Sequence, residues 1–267
     1  MNNINSLVSV VVPVFNAETY IAATLSSALN QTHQNLEVLV VDDCSTDNTL
    51  DIVNKIAMVD DRVTVINLKN NKGAPAGPRN IGINRSSGDW IALLDADDIW
   101  HPRKLEIQLS LLKKTGAYFC SSASFNFVKD RDIEFDQDLK WNYGKVTFIK
   151  QLINSRIPTS SVVVLTSIMK KTPFNESMDY KAREDLDCFL RVHEEIPFSI
   201  KSKMPLMAYR VVKGQISGNK LTMIKRHLHV LKNYRTLDGK RLGYLAYICT
   251  VSHFALAVIP RLILKIQ

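Results

Sequence analysis

The chain has 267 residues, 46% of them apolar and 22% charged, and a formal net charge of +8. That composition suits one globular domain with an appendage, and it excludes a disordered or low-complexity protein. The four cysteines, Cys44, Cys120, Cys188 and Cys249, are widely separated with neither CxxC nor zinc-ligand spacing, which argues against a disulfide scaffold or zinc module and fits reduced thiols in a cytoplasmic protein.

Met1 to Leu7 lacks a basic stretch followed by an apolar one, so no signal peptide is expected. Val8 to Val14 is β-branched and predicts a buried strand, with Pro13 near its end where a missing N–H is tolerated. Glu18 to Asn30 places Tyr20, Ile21, Leu25, Ala28 and Leu29 at helical spacing. Leu36 to Val41 predicts a second strand, ending in Asp42 and Asp43. Ser45, Thr46 and Asp47 supply caps for a helix through Leu50, Ile52, Val53 and Ile56. Val63 to Leu68 predicts a third strand, Asn70 to Pro78 a Gly/Pro/Asn loop, and Arg79 to Arg85 a short helix.

Trp90 to Leu94 is an apolar run that delivers Asp95, Asp97 and Asp98 at its end. Three carboxylates within four residues repel one another. A hard divalent cation would offset that repulsion, because Mg²⁺ prefers one or two carboxylates plus substrate phosphates. The structural alternative is a polar turn before a helix, with Asp98 or His101 near the cap. An EF-hand does not fit, since Trp100 occupies the loop position that needs glycine. A helix from Lys104 to Lys114 follows. Alternating strands and helices predict a doubly wound, mostly parallel α/β sheet. Ligands of such sheets bind beyond the carboxyl ends of the strands, so Asp42 and Asp43 should meet Asp95, Asp97 and Asp98 in one crevice.

The second half is less regular. Tyr118 to Val128 and Ser160 to Leu165 predict strands, Thr147 to Asn154 a helix, and Asp179 to Glu195 a helix beginning with acidic residues. Phe198 to Val212 predicts a strand broken at Pro205. Leu221 to Tyr234 predicts a basic helix and Leu242 to Ile259 an uncharged apolar one. No GxGxxG run occurs around Gly73, Gly77 and Gly82, which disfavours a nicotinamide cofactor.

Four blocks now stand together: Val8 to Asn16, Val40 to Asp47, Asn71 to Gly73 with Arg79 to Gly82, and Leu94 to Asp98. In order and spacing they resemble the family 2 glycosyltransferases, strongly to about Pro102 and more thinly to about Ser217. The resemblance implies a GT-A fold over residues 1–217, with 218–267 as a helical extension. It further implies a nucleotide-sugar donor, most readily a UDP-sugar, with Mg²⁺ or Mn²⁺, and inversion at the anomeric carbon. It places Pro13, Phe15, Asn16, Asp42, Asp43, Gly73, Arg79, Asp95, Ala96, Asp97 and Arg210 at the donor. Asp42 suits a uracil N–H or a ribose hydroxyl; its alternative, a cap for the helix after Ser45, fits Asp43 better. Arg79 suits the base or diphosphate. Asp97 is the choice for direct metal ligation, with Asp95 toward ribose and metal waters and Asp98 a substitute for either. Pro75 and Pro78 depart from the small residues more common before that arginine.

Glu184 and Asp185 match the family's acidic pair on the acceptor side, which makes Asp185 the candidate base and Asp187 its rival. Tyr209-Arg210 with Gly214 to Ser217 resembles the family's late Tyr-Arg…Ser segment, though Val212 stands where a histidine often follows. Trp141 could stack on an acceptor sugar or sit at a buried edge. A nucleotidyltransferase would need a Gly-rich loop with lysine near the N-terminus, which Val8 to Asn16 lacks. A non-catalytic sugar-nucleotide binder is disfavoured by retention of all four blocks plus Asp185.

Charge is unevenly spread. Through Glu195 there are 21 Lys and Arg against 25 Asp and Glu; from Ile196 onward there are 13 against Asp238 alone. A basic end points to an anionic partner. No nucleic-acid motif accompanies it. Leu242 to Ile259 is at the short edge of a membrane span and contains Thr250, Ser252 and His253. A helix lying in the interface fits better, on the cytoplasmic face of the inner membrane, where a lipid-linked acceptor would be found. The alternative is packing on the catalytic domain or in a homodimer interface.

Overall fold

The computed structural model describes residues 6–136, 141–153, 157–212 and 220–263, with no side-chain description for 220 and 256–263. Strand β1 (Val8–Val14) is the hub of the first half. All seven residues are buried, as expected for a parallel strand covered on both faces. Strands β2 (Leu36–Asp42) and β4 (Trp90–Leu93) flank it in parallel, and β3 (Val63–Asn67) extends the sheet beyond β2. Pairing of β1 with β4 stops at Val11, so Pro13 lies where one edge of β1 is open and needs no donor.

Helices α1 (Ile21–Leu29), α2 (Thr49–Ala57) and α3 (Ala76–Arg85) connect these strands. Helix α3 starts three residues earlier than expected. Its Pro75 caps the helix and Pro78 sits in the first turn, where backbone N–H groups lack helical partners and proline costs little. A Cβ on Gly82 would meet Val11 Cγ1 at 2.5 Å, so only glycine lets α3 approach β1 this closely.

Beyond β4 the sheet becomes mixed. β5 (Ile99–Trp100), α4 (Lys104–Thr115) and β6 (Phe119–Phe127) follow in the chain, then β7 (Tyr143–Val146), α5 (Phe148–Ile153) and β8 (Val163–Leu165). The chain continues through α6 (Thr166–Lys171), α7 (Glu184–Glu195) and β9 (Ser199–Arg210). The strand order is β3-β2-β1-β4-β8-β6-β9-β5, with β7 also on β9. β8 runs antiparallel to β4 and β6, while β6 and β9 run parallel. Pro205 does not break β9; it lies opposite Ala123 at a register shift, where the ladder is already interrupted. The expected helix from Asp179 is a 3₁₀ turn at Met178–Tyr180 followed by α7, separated by Ala182 at φ 67°.

One apolar layer lies on each face of the sheet. A third cluster joins Leu186 and Leu190 of α7 and Leu152 of α5 to helices α8 (Lys220–Asn233) and α9 (Leu245–Ile263), through Val230, Leu231, Ala246 and Cys249. Among the described residues, no helix is long and apolar enough to cross a membrane.

Candidate active site

The ends of β1, β2 and β4 and the start of α7 surround a cleft of about 870 Å³. One wall is knitted from the strand ends. Asn16, at φ 48°, takes its Ser45 partner through its own N–H at 3.0 Å and accepts the Thr46 N–H on Oδ1 at 2.8 Å. Asp42 is completely buried and accepts Ser45 Oγ at 2.5 Å and Ser45 N at 3.1 Å. It supports the wall and does not line it. Asp43 does line the cleft, and it is not a cap. Its Oδ1 accepts the Lys72 N–H at 2.7 Å and its carbonyl accepts Asn71 Nδ2 at 2.7 Å, fixing the loop that holds Gly73. The Thr49 N–H at the start of α2 goes instead to Asp47 Oδ1, at 2.9 Å. Burial, with Asp42 alongside, lifts the Asp43 carboxyl above the ordinary carboxylate range against the pull of the Lys72 and Gly73 N–H groups. Phe15, half exposed, and Tyr20 and Tyr209 add aromatic surface, and Pro13 and Ala96 also face the cleft.

The three aspartates after β4 divide into two roles. Asp98 is 1% exposed, and it accepts Ser160 Oγ at 2.5 Å and the Arg210 N–H at 3.0 Å. It ties the strand end to β9. Asp95 and Asp97 face the cleft together with it. Burial, reinforced by Asp95, raises the Asp97 carboxyl to about 6. Among the described residues its carboxylate has no side-chain hydrogen-bond partner. Arg210 stands behind it and does not line the cleft. Its Nε donates to the Asp97 carbonyl at 2.7 Å, Nη1 donates to Asp130 Oδ1 at 2.5 Å, and the guanidinium lies against Tyr20 and Phe127.

Arg79 does not project freely toward a diphosphate. It is 4% exposed and bridges Asp95 Oδ1, at 2.6 Å, and Glu184 Oε1, at 2.8 Å. Burial alone would weaken its hold on the proton, but Asp95 and Glu184 outweigh that and keep it cationic. Asp185 faces the cleft beside Glu184. Its Oδ1 accepts the Leu186 N–H at 2.8 Å, which leaves Oδ2 for another partner. Burial and the adjacent Glu184 raise this carboxyl to about 6. The rival, Asp187, forms an ion pair with Arg191 at 2.7 Å and is not in the lining. Lys181, which carries no motif signal, lines the cleft with its Nζ donating to the Gly73 carbonyl at 2.6 Å. Trp141 is partly exposed ahead of β7 and away from the lining. Gly214 to Ser217 lie outside the described residues.

Among the described residues, six acids (Asp43, Asp95, Asp97, Asp98, Glu184 and Asp185) line the cleft against two cations, Arg79 and Lys181. An anionic diphosphate would be repelled from that surface without a counter-cation. No group of three or more His, Cys, Asp or Glu able to hold a metal ion exists among the described residues. Asp95 and Asp97 fit a cation that completes its shell with phosphates and water, as Mg²⁺ does.

The glycosyl transferase family 2 model matches residues 9–172, from β1 through the acidic turn after β4 to the end of α6. The putative teichuronic acid biosynthesis glycosyltransferase TuaG of Bacillus subtilis (strain 168) is 32% identical over 262 residues, 98% of this chain and 100% of that protein. The Escherichia coli enzyme WfaP, a UDP-Glc:alpha-D-GlcNAc-diphosphoundecaprenol beta-1,3-glucosyltransferase, is 34% identical over 231 residues, 85% of this chain and 86% of that one. Among solved structures, S. aureus TarS 1-349 in complex with UDP-GlcNAc aligns with a TM-score of 0.67 at 22% identity, over 85% of this chain and 66% of that chain. This chain therefore spans about two thirds of that TarS fragment. The Pyrobaculum calidifontis mannosyltransferase PcManGT, in complex with GDP-Man and Mn²⁺, aligns with a TM-score of 0.64 at 18% identity, over 94% of this chain and 75% of that chain. At these identities the structural likeness speaks for the fold, which is GT-A. The matched blocks carry the strand ends that form the cleft, and relatives are alike along almost the whole chain: the protein is a glycosyltransferase of family 2.

Proposed function

We propose that the protein transfers a sugar, with inversion, from a UDP-sugar to a hydroxyl of a lipid-linked saccharide in surface polysaccharide biosynthesis. One observation carries the reading. The Asp95–Asp97 pair and the Asp185 carboxylate face the same cleft, joined by the Arg79–Glu184 bridge. A leaving-group site and a proton acceptor are thereby held at a set separation, which inverting transfer requires. WfaP, with its UDP-Glc donor and diphosphoundecaprenol acceptor, supports a UDP-sugar and a lipid-linked acceptor, and TuaG supports the polysaccharide setting. The transferred group is a hexosyl or N-acetylhexosaminyl residue.

In this reading Phe15 and Tyr20 cover the nucleoside, and Asp43 meets base or ribose. Asp95 and Asp97 would hold Mg²⁺ or Mn²⁺, which would supply Lewis-acid neutralisation of the diphosphate. Asp185 Oδ2 accepts the proton of the acceptor hydroxyl. Residues 1–217 form the catalytic domain. Residues 218–267 are an extension that brings the enzyme to the cytoplasmic face of the membrane. The test is a turnover screen of UDP-glucose, UDP-galactose and their N-acetyl forms with a polyprenyl-diphosphate-linked sugar, with and without Mn²⁺. Metal-dependent transfer of one sugar is expected; binding of every donor with no transfer or hydrolysis would sink the reading.

A further inference from the structure

The exposed face of α9 is no less apolar than its buried one. Ala246, Cys249, Thr250 and His253 turn inward onto the protein and are buried. On the opposite side Tyr244, in the turn that opens the helix, and Ile248 and Val251 recur at spacings of four and three, and they are 88%, 62% and 69% exposed. Leu245 and Tyr247 flank them and are exposed too. In a helix that spacing forms one stripe. Ser252 Oγ donates to the Ile153 carbonyl at 3.2 Å, which sets the end of α5 beside the stripe. There Ile149 and Ile153 add exposed apolar surface. A helix apolar on all sides is normally covered on all sides, and a contiguous exposed apolar patch marks an interaction surface.

Charge decides what covers it. Lys240 and Arg241 precede the stripe, Lys150 is exposed on α5, and Lys232 Nζ stands 5.6 Å from the centre of the Tyr247 ring. The one acid in the final 72 residues, Asp238, lies 3.9 Å from Lys240. A second copy docked about a two-fold axis would bring this cationic rim against itself. An anionic lipid surface matches both parts: headgroups for the lysines and arginine, the acyl boundary for the stripe, and the interface between them for the tyrosines.

We propose that the Tyr244–Ile248–Val251 stripe, with Ile149 and Ile153 beside it, is a docking face for an anionic membrane, with α9 lying in the interface plane. The other side of the same helix reaches the catalytic loop, where Phe254 lies 6.0 Å from the Arg183 guanidinium, two residues before Asp185. The face suits the lipid-linked-acceptor reading but is argued from its own residues.

The test is co-sedimentation of the full chain with phosphatidylglycerol–phosphatidylcholine vesicles and with phosphatidylcholine alone, alongside UDP-sugar hydrolysis in solution. Wild type should bind the anionic vesicles preferentially and release at high salt. Ile248→Asn with Val251→Ser should lower partitioning at least about tenfold. Lys240→Gln with Arg241→Gln should remove the preference for anionic lipid. Both variants should hydrolyse donor at the wild-type rate, which shows that the fold is intact. Vesicle binding that follows these variants would uphold the face even if no donor were turned over, and only the enzymatic reading would then fail. Absence of vesicle binding at low salt would overturn the proposal, as would a dimer in solution that Ile248→Asn dissociates.

Discussion

Arg79 Nη1 donates to Glu184 Oε1 across 2.8 Å, although the two residues are 105 positions apart in the chain. The same guanidinium reaches Asp95 with its other nitrogen, so one planar fork ties the end of β4 to the start of α7. Asp97 lies two residues from one end of this bridge and Asp185 one residue from the other. The bridge therefore sets the distance between Asp97 and Asp185. Rigid support of this kind keeps reacting groups in position.

Removing the fork should damage stability and transfer together. Arg79→Met leaves Glu184 buried without its cation, at a cost of about 3–5 kcal/mol. Arg79→Lys keeps the charge but cannot reach both acids at once, so it should fold and lose kcat more than donor affinity. Denaturant unfolding and steady-state kinetics read the two effects. Wild-type stability in Arg79→Met would show that the bridge does not hold the halves together.

The three aspartates after β4 should separate by phenotype. Asp97→Asn keeps the shape and removes charge from a carboxylate that faces the cleft. Turnover should fall by about two to four orders of magnitude, as for loss of a major electrostatic element, and Mn²⁺ should bind more weakly. Asp98→Ala instead strips the acceptor from Ser160 Oγ and the Arg210 N–H. It should cost about 1–3 kcal/mol of stability. Near-normal activity in Asp97→Asn would move the metal role to Asp95.

Local pattern explains which parts were readable in advance. β1 shows in the sequence because a strand buried on both faces must be a continuous β-branched run, and Asp95 and Asp97 show because clustered carboxylates need a reason. The start of α3 did not show, since Pro78 reads as a helix breaker unless the first turn falls on it. Strands β5 and β7 are too short for any periodicity to register. The parting of Asp98 from Asp97 depends on the N–H of Arg210, 112 positions away. Arg210 carries a motif signal, but only tertiary packing shows that it sits behind Asp97 and outside the cleft lining. Asp42 and Asp43 adjoin in sequence, and the turn at Ser45 alone decides which of them faces the cleft.

At saturating Mn²⁺, where a bound cation would keep Asp97 ionised, the pH dependence should report Asp185. Its carboxyl lies at about 6 in the folded protein, against an ordinary value of 3.8. A base acts only when ionised, so transfer should fall as pH drops through about 6, well above where an unperturbed aspartate would lose activity. Asp185→Asn should abolish transfer and keep donor and metal affinity. The substitution also relieves repulsion with Glu184, so the variant should be at least as stable as wild type at neutral pH. Donor affinity collapsing along with transfer would put Asp185 on the wrong side of the cleft.

The diphosphate should meet Lys181. Arg79 is engaged by two carboxylates and Arg210 lies behind Asp97, which leaves Lys181, among the described residues, as the lining cation that meets a neutral partner, the Gly73 carbonyl. Gly73 is held at φ 75° by the loop that Asp43 anchors, and Ala182 holds φ 67°, costly for a residue with a Cβ. That backbone holds Lys181 in the cleft lining with its Nζ on the Gly73 loop. An entering diphosphate offers the ammonium a charged acceptor, and exchanging a carbonyl for a phosphate oxygen strengthens the hydrogen bond. Lys181→Met should weaken UDP binding by about ten- to a hundredfold, the range of a hydrogen bond to a charged group. Uridine, with no phosphate, should bind the variant and wild type alike. The salt dependence of UDP binding should shrink in the variant. Calorimetric titration of both ligands with Mg²⁺ present measures the ratio directly. An unchanged ratio of UDP to uridine affinity would leave Lys181 as a strap on Gly73 with no part in holding the donor.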